Sequence, residues 1–445
     1  MDWIMEFRRD LYLQKLISRQ NNGLIKVITG ARRSGKSYLM NELFYRYLLS
    51  NNVPTNNIIR FAFDADEDID LLDGYFQNEP TRIKITGNSF LVNAKKFRAY
   101  IKDKTSDNGT YYILLDEVQI LENFTGTLNS LLKHGNFDIY VTGSNSRFLS
   151  SDIATEFKGR GTVIHVLPLS FSEYCGGLRL EPQNAWKQYI VSGGIPLVAK
   201  MQTEEERIDY LKMLCEETYL KDVISHNGIR KQTELSETFD VLASVIGAPV
   251  NVVKLVRTFQ STAKKTITDD TISKYIEYLE DAFLLTKVRK YNIKGKKYIS
   301  SPFKIYFEDI GVRNARLDFR QIEETHIMEN VIYNELRYRG FSVDVGELDI
   351  NEKTDRKDAA GKSIYTAKSL EVDFIASKGS QKYYIQSALS MDGEAKQQQE
   401  KRSLYNIDDS FKKIVIAKNG LDVTRDEKGV EIIDLFDFLI NSPLE

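Results

Sequence analysis

Residues Gly30 to Ser37 read Gly-Ala-Arg-Arg-Ser-Gly-Lys-Ser, two glycines, a lysine and a hydroxyl at the spacing that cradles a polyphosphate. Gly30 and Gly35 allow a tight backbone whose successive N–H groups, with the start of a following helix, face an anion. Lys36 is expected to reach the β- and γ-phosphates, and the Ser37 hydroxyl to ligate Mg²⁺. The expected nucleotide contacts are Gly30, Ala31, Arg32, Arg33, Ser34, Gly35, Lys36, Ser37 and the next residue, Tyr38. The competing reading is a glycine-rich turn with a chance lysine. The flanks argue against it: Leu24 to Thr29 reads as a buried β-strand and Tyr38 to Phe44 as a helix, so the loop sits at a strand-to-helix turn.

Hydrolysis of a γ-phosphate needs a second strand that ends in acids. Tyr111-Tyr112-Ile113-Leu114-Leu115-Asp116-Glu117 supplies it, 80 residues beyond Lys36. Its apolar run suits a central parallel strand. Asp116 is expected in the Mg²⁺ shell and Glu117 as the general base that polarises the attacking water. A third strand, Phe137 to Thr142, leads into Gly143-Ser144-Asn145-Ser146. Ser144 and Asn145 are equal candidates for a polar group that senses the γ-phosphate. Arg147 and Arg160 follow, and either could carry positive charge to the transferring phosphoryl group, in cis or in a neighbouring subunit. The expected catalytic set is Lys36, Glu117, Arg160, Ser144 and Asn145.

These segments occur in an order that resembles a known group. After the loop come Leu-Leu-Asp-Glu-Val-Gln (114–119), Val-Thr-Gly-Ser-Asn-Ser (141–146), Lys-Gly-Arg (158–160) and Leu-Pro-Leu-Ser-Phe-Ser-Glu-Tyr (167–174). Ser-Gly-Gly-Ile-Pro (192–196), Tyr-Leu-Lys-Asp-Val (219–223), Lys-Ile-Tyr-Phe-Glu-Asp-Ile-Gly (304–311) and Glu-Val-Asp-Phe-Ile (371–375) extend the match over nearly the whole chain. The sequence is similar to the prokaryotic AAA-type P-loop ATPases with a C-terminal domain of unknown function. The resemblance implies an α/β protein with a P-loop NTPase (AAA-type) parallel-sheet core at 1–165 and a helical lid or linker at 166–230. A winged helix-turn-helix at 231–300 and a C-terminal restriction-endonuclease-like α/β domain at 301–445 would follow. It implies ATP and Mg²⁺ as ligands, and homo-oligomers if an arginine acts in trans.

The rest of the chain bears on partners. A formal net charge of −2 gives no bulk electrostatic case for nucleic acid, so such binding needs a local basic patch. Lys287, Arg289, Lys290, Lys294, Lys296 and Lys297 provide one, six cations in eleven residues at the expected wing, suited to the backbone of duplex DNA. A protein-docking hairpin is the alternative, because the preceding helix exposes Asp270, Lys274 and Glu277. In the last domain a PD-(D/E)XK nuclease would need acids on a helix and two strands, plus a lysine. Glu329 and Glu335 fall on a helical stretch, Asp373 and Gln386 on strands, and Ala388 stands where the lysine belongs. A degenerate scaffold is therefore expected, with Lys382 or Lys401 as the replacements to look for. No long apolar run suggests a membrane span. Two cysteines without metal spacing fit reduced, buried thiols and a cytoplasmic address. The functional expectation is an ATP-hydrolysing protein that couples nucleotide state to a DNA or protein partner. The alternatives are a slow nucleotide-gated switch and an ATP-controlled nuclease.

Overall fold

The computed structural model describes residues 6–85, 89–105, 109–143, 157, 159–263, 267–357, 363–419, 424–441 and 444. Two compact units emerge, Phe7–Pro168 and the part from Leu169 onward.

The first unit is built on five parallel strands: β1 (Ile25–Thr29), β2 (Ile58–Ala62), β3 (Tyr111–Asp116), β4 (Phe137–Thr142) and β5 (Gly161–His165). Their order is β2-β3-β4-β1-β5, so β4 separates the P-loop strand from the acid-bearing strand. The three central strands are the apolar runs of the sequence. Every residue of β1 and β3 is buried, as strands covered on both faces must be. Helices Ala94–Lys104 and Phe124–Leu132 cover one side, where Phe61, Phe63, Phe97, Ile113, Leu115, Leu128 and Val141 form one core. The parallel P-loop core expected from the sequence is present.

The helix after the loop departs from expectation. It is α-helical at Lys36–Tyr38 and Tyr45–Ser50 but π-helical over Leu39–Phe44. Such widened turns are rare and concentrate at functional sites, and this one carries Asn41.

The second unit begins with helices Phe171–Leu178, Pro182–Ser192, Pro196–Lys200 and Glu204–Met213. The Gly-Gly-Ile-Pro turn is shaped by a distant residue. Gly193 has φ +70°, and a Cβ there would lie 2.3 Å from an oxygen of the buried Asp309. The Asp309 carboxylate accepts the Gly194 N–H at 2.7 Å. Helices Gln232–Ser244, Val252–Ala263 and Asp269–Asp281 then lead to a hairpin, β6 (Leu285–Asn292) and β7 (Lys297–Phe307). The hairpin is no free wing. β6 pairs in parallel with β8 (Ser342–Lys357), so both strands extend an eight-stranded sheet, and a boundary at residue 300 falls inside β7. The sheet continues through β9 (Ser363–Lys378), β10 (Gln381–Ser390), β11 (Lys412–Asn419), β12 (Thr424–Arg425) and β13 (Val430–Asp434), in the order β12-β13-β11-β10-β9-β8-β6-β7. Helix Glu324–Tyr338 is pinned to β7 by Asn330, whose side chain accepts the Phe307 N–H at 2.7 Å and donates to its carbonyl at 2.8 Å.

Among the described residues no helix is long and apolar enough to cross a membrane. Both thiols are free, Cys215 buried as expected and Cys175 only half-buried, and desolvation pushes each up to about 12.

Candidate active site

The loop between β1 and its helix has the backbone that a phosphate cradle requires. Gly30 has φ +139°, and a Cβ on it would lie 2.2 Å from the Val166 carbonyl oxygen, so only glycine fits. Gly35 is left-handed at φ +95° immediately before the helix, and Arg33 also takes a positive φ of 67°. Lys36 is buried and donates to the carbonyls of Gly30 and Ala31, both at 2.9 Å, which keeps its ammonium inside the loop's curve. The Ser34 hydroxyl is fully buried and has no hydrogen-bond partner among the described residues. A buried hydroxyl left unmatched is costly, and an anion in the loop would relieve that cost. Arg32 and Arg33 are exposed.

The second strand delivers its acids beside the loop. Asp116 is buried at the end of β3. One of its oxygens accepts the Thr142 hydroxyl and the other the Asn41 amide at 3.2 Å, and Ser37 adds a third side-chain hydrogen bond. Burial raises the Asp116 pKa, with Glu117 and Asp64 adding to the rise against the bonds from Thr142 and Ser37. A cation beside it would reverse that cost. Glu117 follows in a left-handed conformation, φ +50°, rare for a residue with a side chain. Its N–H donates to Thr142 Oγ1 at 3.2 Å, and its carboxylate accepts from Gln119. Thr142 thus ties both acids to the end of β4. Asp64, just past β2, also has a raised pKa, from burial first and then from Glu117.

These residues fit Mg²⁺ with a nucleotide. Among the described residues no three His, Cys, Asp or Glu side chains could hold a metal by themselves. Ser37 and Asp116 would hold the ion together with phosphate and water oxygens, as suits a cation that keeps much of its hydration.

The other sequence candidates divide. Ser144, Asn145 and Arg147 lie outside the described residues. Arg160 is exposed and sits at the start of β5, where its carbonyl accepts the Ile25 N–H at 2.8 Å. Ile25 opens β1 and the P-loop closes it, about 13 Å away at a rise of about 3.3 Å per residue. Arg160 therefore has its backbone at the opposite end of β1 from its own chain's loop.

The basic hairpin is also corrected at one residue. Lys290 is buried and paired with Glu347 at 3.3 Å and Glu371 at 2.7 Å, so it is no surface cation. Lys287 lies over the Phe303 ring and Arg289 over the Tyr298 ring, while Lys294 reaches the Asp349 carbonyl. Lys296 and Lys297 are exposed.

Three of the residues singled out in the last domain, Glu329, Asp373 and Gln386, lie around an amine that sequence reasoning missed. Lys304 of β7 is buried with its ammonium 2.8 Å from Glu329, 2.7 Å from Glu371 and 3.7 Å from Asp373. Tyr306 donates to Glu329, and Gln386 donates to Asp373 at 2.8 Å. Burial opposes the Lys304 charge, but Glu329, Asp373 and Glu371 outweigh it and raise its pKa. Asp373 moves up too, from burial and then from Glu329. Glu335 is elsewhere, bound to Arg339 at 2.8 Å. Lys401 pairs with Asp426, Lys382 lies over the Tyr384 ring, and Ala388 is packed in the core beneath helix Glu394–Tyr405.

Comparison with known proteins finds an AAA domain over the P-loop sheet. Residues 22–175 match the model of an AAA domain family, and residues 183–323 that of a domain of unknown function. An uncharacterized protein of Haemophilus influenzae is 31% identical over 439 residues, spanning 97% of this chain and 98% of that protein. An uncharacterized protein of Methanocaldococcus jannaschii is 26% identical over 336 residues, 71% of this chain and 67% of the other. Among solved structures, the Aeropyrum pernix ORC1 protein in complex with DNA aligns over 70% of this chain and 92% of its own, at 13% identity and a TM-score of 0.28. A likeness that loose carries nothing about function.

Proposed function

Starting from the fact that this chain belongs to the same family as the Haemophilus influenzae protein and carries an AAA domain at its N-terminal end, we propose that it binds MgATP at the Gly30–Ser37 loop and hydrolyses it. The observation that carries the reading is the meeting of Lys36, the orphaned Ser34 hydroxyl and the Asp116–Thr142–Glu117 group at the ends of neighbouring strands. Loop N–H groups and Lys36 hold the phosphates. Ser37 and Asp116 hold Mg²⁺, which when bound neutralises charge on the transferring phosphoryl group. Glu117 takes the proton of the attacking water, and Thr142 and Gln119 fix its position. Ser144 or Asn145 senses the γ-phosphate. Arg160, exposed at the far end of the sheet, serves the nucleotide of a neighbouring copy, so full activity requires a homo-oligomer.

Nucleotide state is coupled to a partner through the part of the chain after residue 166. Charge on the hairpin favours a protein over duplex DNA, because Lys290 is neutralised internally and Asp344, Glu347 and Asp349 lie on the strand beside it. The Lys304-filled acid cluster favours a scaffold over a nuclease, since an ammonium occupies the space between the carboxylates. The test is steady-state ATP hydrolysis by the purified protein, with and without duplex DNA, at two salt concentrations. Mg²⁺-dependent turnover that DNA leaves unchanged is the expected result. No nucleotide binding at all would end the ATPase reading, and strong salt-sensitive stimulation would restore DNA as the partner.

A further inference from the structure

The P-loop is gripped from behind by residues upstream of the matched AAA domain. Helix Asp10–Ile17 is preceded by Arg9, which is 2% exposed. One terminal nitrogen of Arg9 donates to the Ser34 carbonyl at 3.3 Å, and the other to the Leu167 carbonyl at 2.5 Å. The Leu167 N–H in turn donates to the Tyr12 hydroxyl at 3.0 Å, and the Arg9 guanidinium lies 4.8 Å from the Tyr12 ring centre. The neighbouring Val166 donates its N–H to Thr29 at 2.8 Å and presents the carbonyl that forbids a Cβ at Gly30. One planar cation therefore ties the middle of the phosphate loop to the chain segment that backs its first glycine.

The consequence follows from the geometry of one peptide. In a trans peptide the C=O and the next N–H point in opposite directions. Arg9 holds the Ser34 C=O, so it also fixes the direction of the Gly35 N–H, away from the guanidinium. Gly35 is the left-handed residue before the helix, and glycine is the residue whose backbone turns most freely. Without a restraint on the Ser34 carbonyl that peptide could rotate and turn its donor out of the cradle. Lysine could not replace the arginine, because a point ammonium lacks the rigid fork that reaches two carbonyls.

We propose that Arg9 is a positioning residue for the P-loop: by holding the Ser34 and Leu167 carbonyls together it aims the Gly35 N–H at the phosphate and so sets nucleotide affinity. The inference rests on the ATP-binding reading above and deepens it. The experiment is titration of ADP into wild type, Arg9→Lys, Arg9→Gln and Tyr12→Phe by calorimetry, alongside thermal melting of each protein without nucleotide. Tyr12→Phe loosens the same helix at Leu167 but leaves the Ser34 contact, so it reports what weakened docking alone does. Arg9→Gln keeps one donor group and guards against a single variant failing to fold. The expected result is a loss of ADP affinity of about tenfold or more in both Arg9 variants, less than threefold in Tyr12→Phe, with comparable melting shifts among the folded variants. Equal losses in Arg9 and Tyr12 variants, or unchanged affinity in a folded Arg9 variant, would overturn it. Wild-type protein that does not bind ADP would instead defeat the ATP-binding reading.

Discussion

Each unit of the molecule buries a lysine at the heart of a polar cluster, and the two lysines are left in opposite conditions. Lys36 donates to the carbonyls of Gly30 and Ala31, neutral groups that an incoming phosphate can outbid. Lys304 lies among Glu329, Glu371 and Asp373, internal acids at close range that satisfy it where it is. Around the first, a serine hydroxyl is orphaned. Around the second, Tyr306, Gln386 and Lys290 complete the network. Burial of a charge is costly unless it is matched. A lysine held on loop carbonyls beside an unmatched hydroxyl suits an incoming anion, and one held by internal acids holds a fold together.

The contrast breaks most visibly at Lys36. Lys36→Ala should abolish nucleotide binding, a loss above about a hundredfold in a fluorescent-nucleotide titration, because a charge-to-phosphate contact disappears with no replacement. Wild-type affinity in that variant would mean that the loop is not the nucleotide site. Glu117→Gln should separate binding from chemistry. It keeps the shape that Gln119 and Thr142 hold, so ADP and ATP affinity should stay within about threefold, while kcat falls by about a hundredfold or more, the scale of a lost general base. Single-turnover hydrolysis measures the second quantity directly. Normal turnover would move the base to another carboxylate, with Asp64 the neighbour to test.

Lys304 should behave in the opposite manner. Lys304→Met leaves three acids without their ammonium, and breaking such a buried network costs about 3–5 kcal/mol. Melting of the unit after Leu169 should drop sharply while ADP affinity stays unchanged. If Lys304→Met melted like wild type, and Mg²⁺ or Mn²⁺ then bound among Glu329, Glu371 and Asp373, the cluster would be a masked metal site and no staple.

The two sites were unequally legible in the sequence for a physical reason. The P-loop is local: eight consecutive residues carry the glycines, the amine and the hydroxyl, and the flanking strand and helix announce its context. Asp116 and Glu117 were legible because an apolar run ending in acids, common by itself, here follows a P-loop by about 80 residues. Asn41 and Thr142 were not, since nothing marks an ordinary helix asparagine or strand-end threonine until the π-helical turn and the β3–β4 pairing bring them to Asp116. Lys304 has no spacing relation to Gln386, and Lys382 and Lys401 do not fill its place, because the fold brings the amine from β7. Its setting, one lysine within Phe303 to Phe307, was the available signal, for a charge inside an apolar strand needs a buried partner. Lys290 carried a similar signal. The alternation of β6 puts it on the face of Val288 and Asn292, inward, while Arg289 points out. Arg160 could be judged only from register, which placed it beside Ile25 and away from the loop.

The smallest effect sharpens the claim that buried acids in the second unit serve the fold. Glu335 is buried beside Arg339, and desolvation pushes its carboxyl up from 4.5 to about 7, with the Arg339 contact opposing the rise. A folded pKa above the unfolded one means that the folded protein holds the proton more tightly between those values. The stability this confers is fully present below about pH 4.5 and is lost as pH rises through about 7. The shift corresponds to about 3 kcal/mol at most, and Arg339, which also donates to the Phe438 carbonyl, keeps a partner whichever form Glu335 takes. Glu335→Gln should therefore flatten the decline of melting temperature between pH 5 and 8 and leave stability near pH 5 almost unchanged. A variant that instead lost stability most at high pH would show that the ionised carboxylate, through Arg339, is what the fold requires. The Arg339 pair would then be a second instance of what Lys304 does with its three acids.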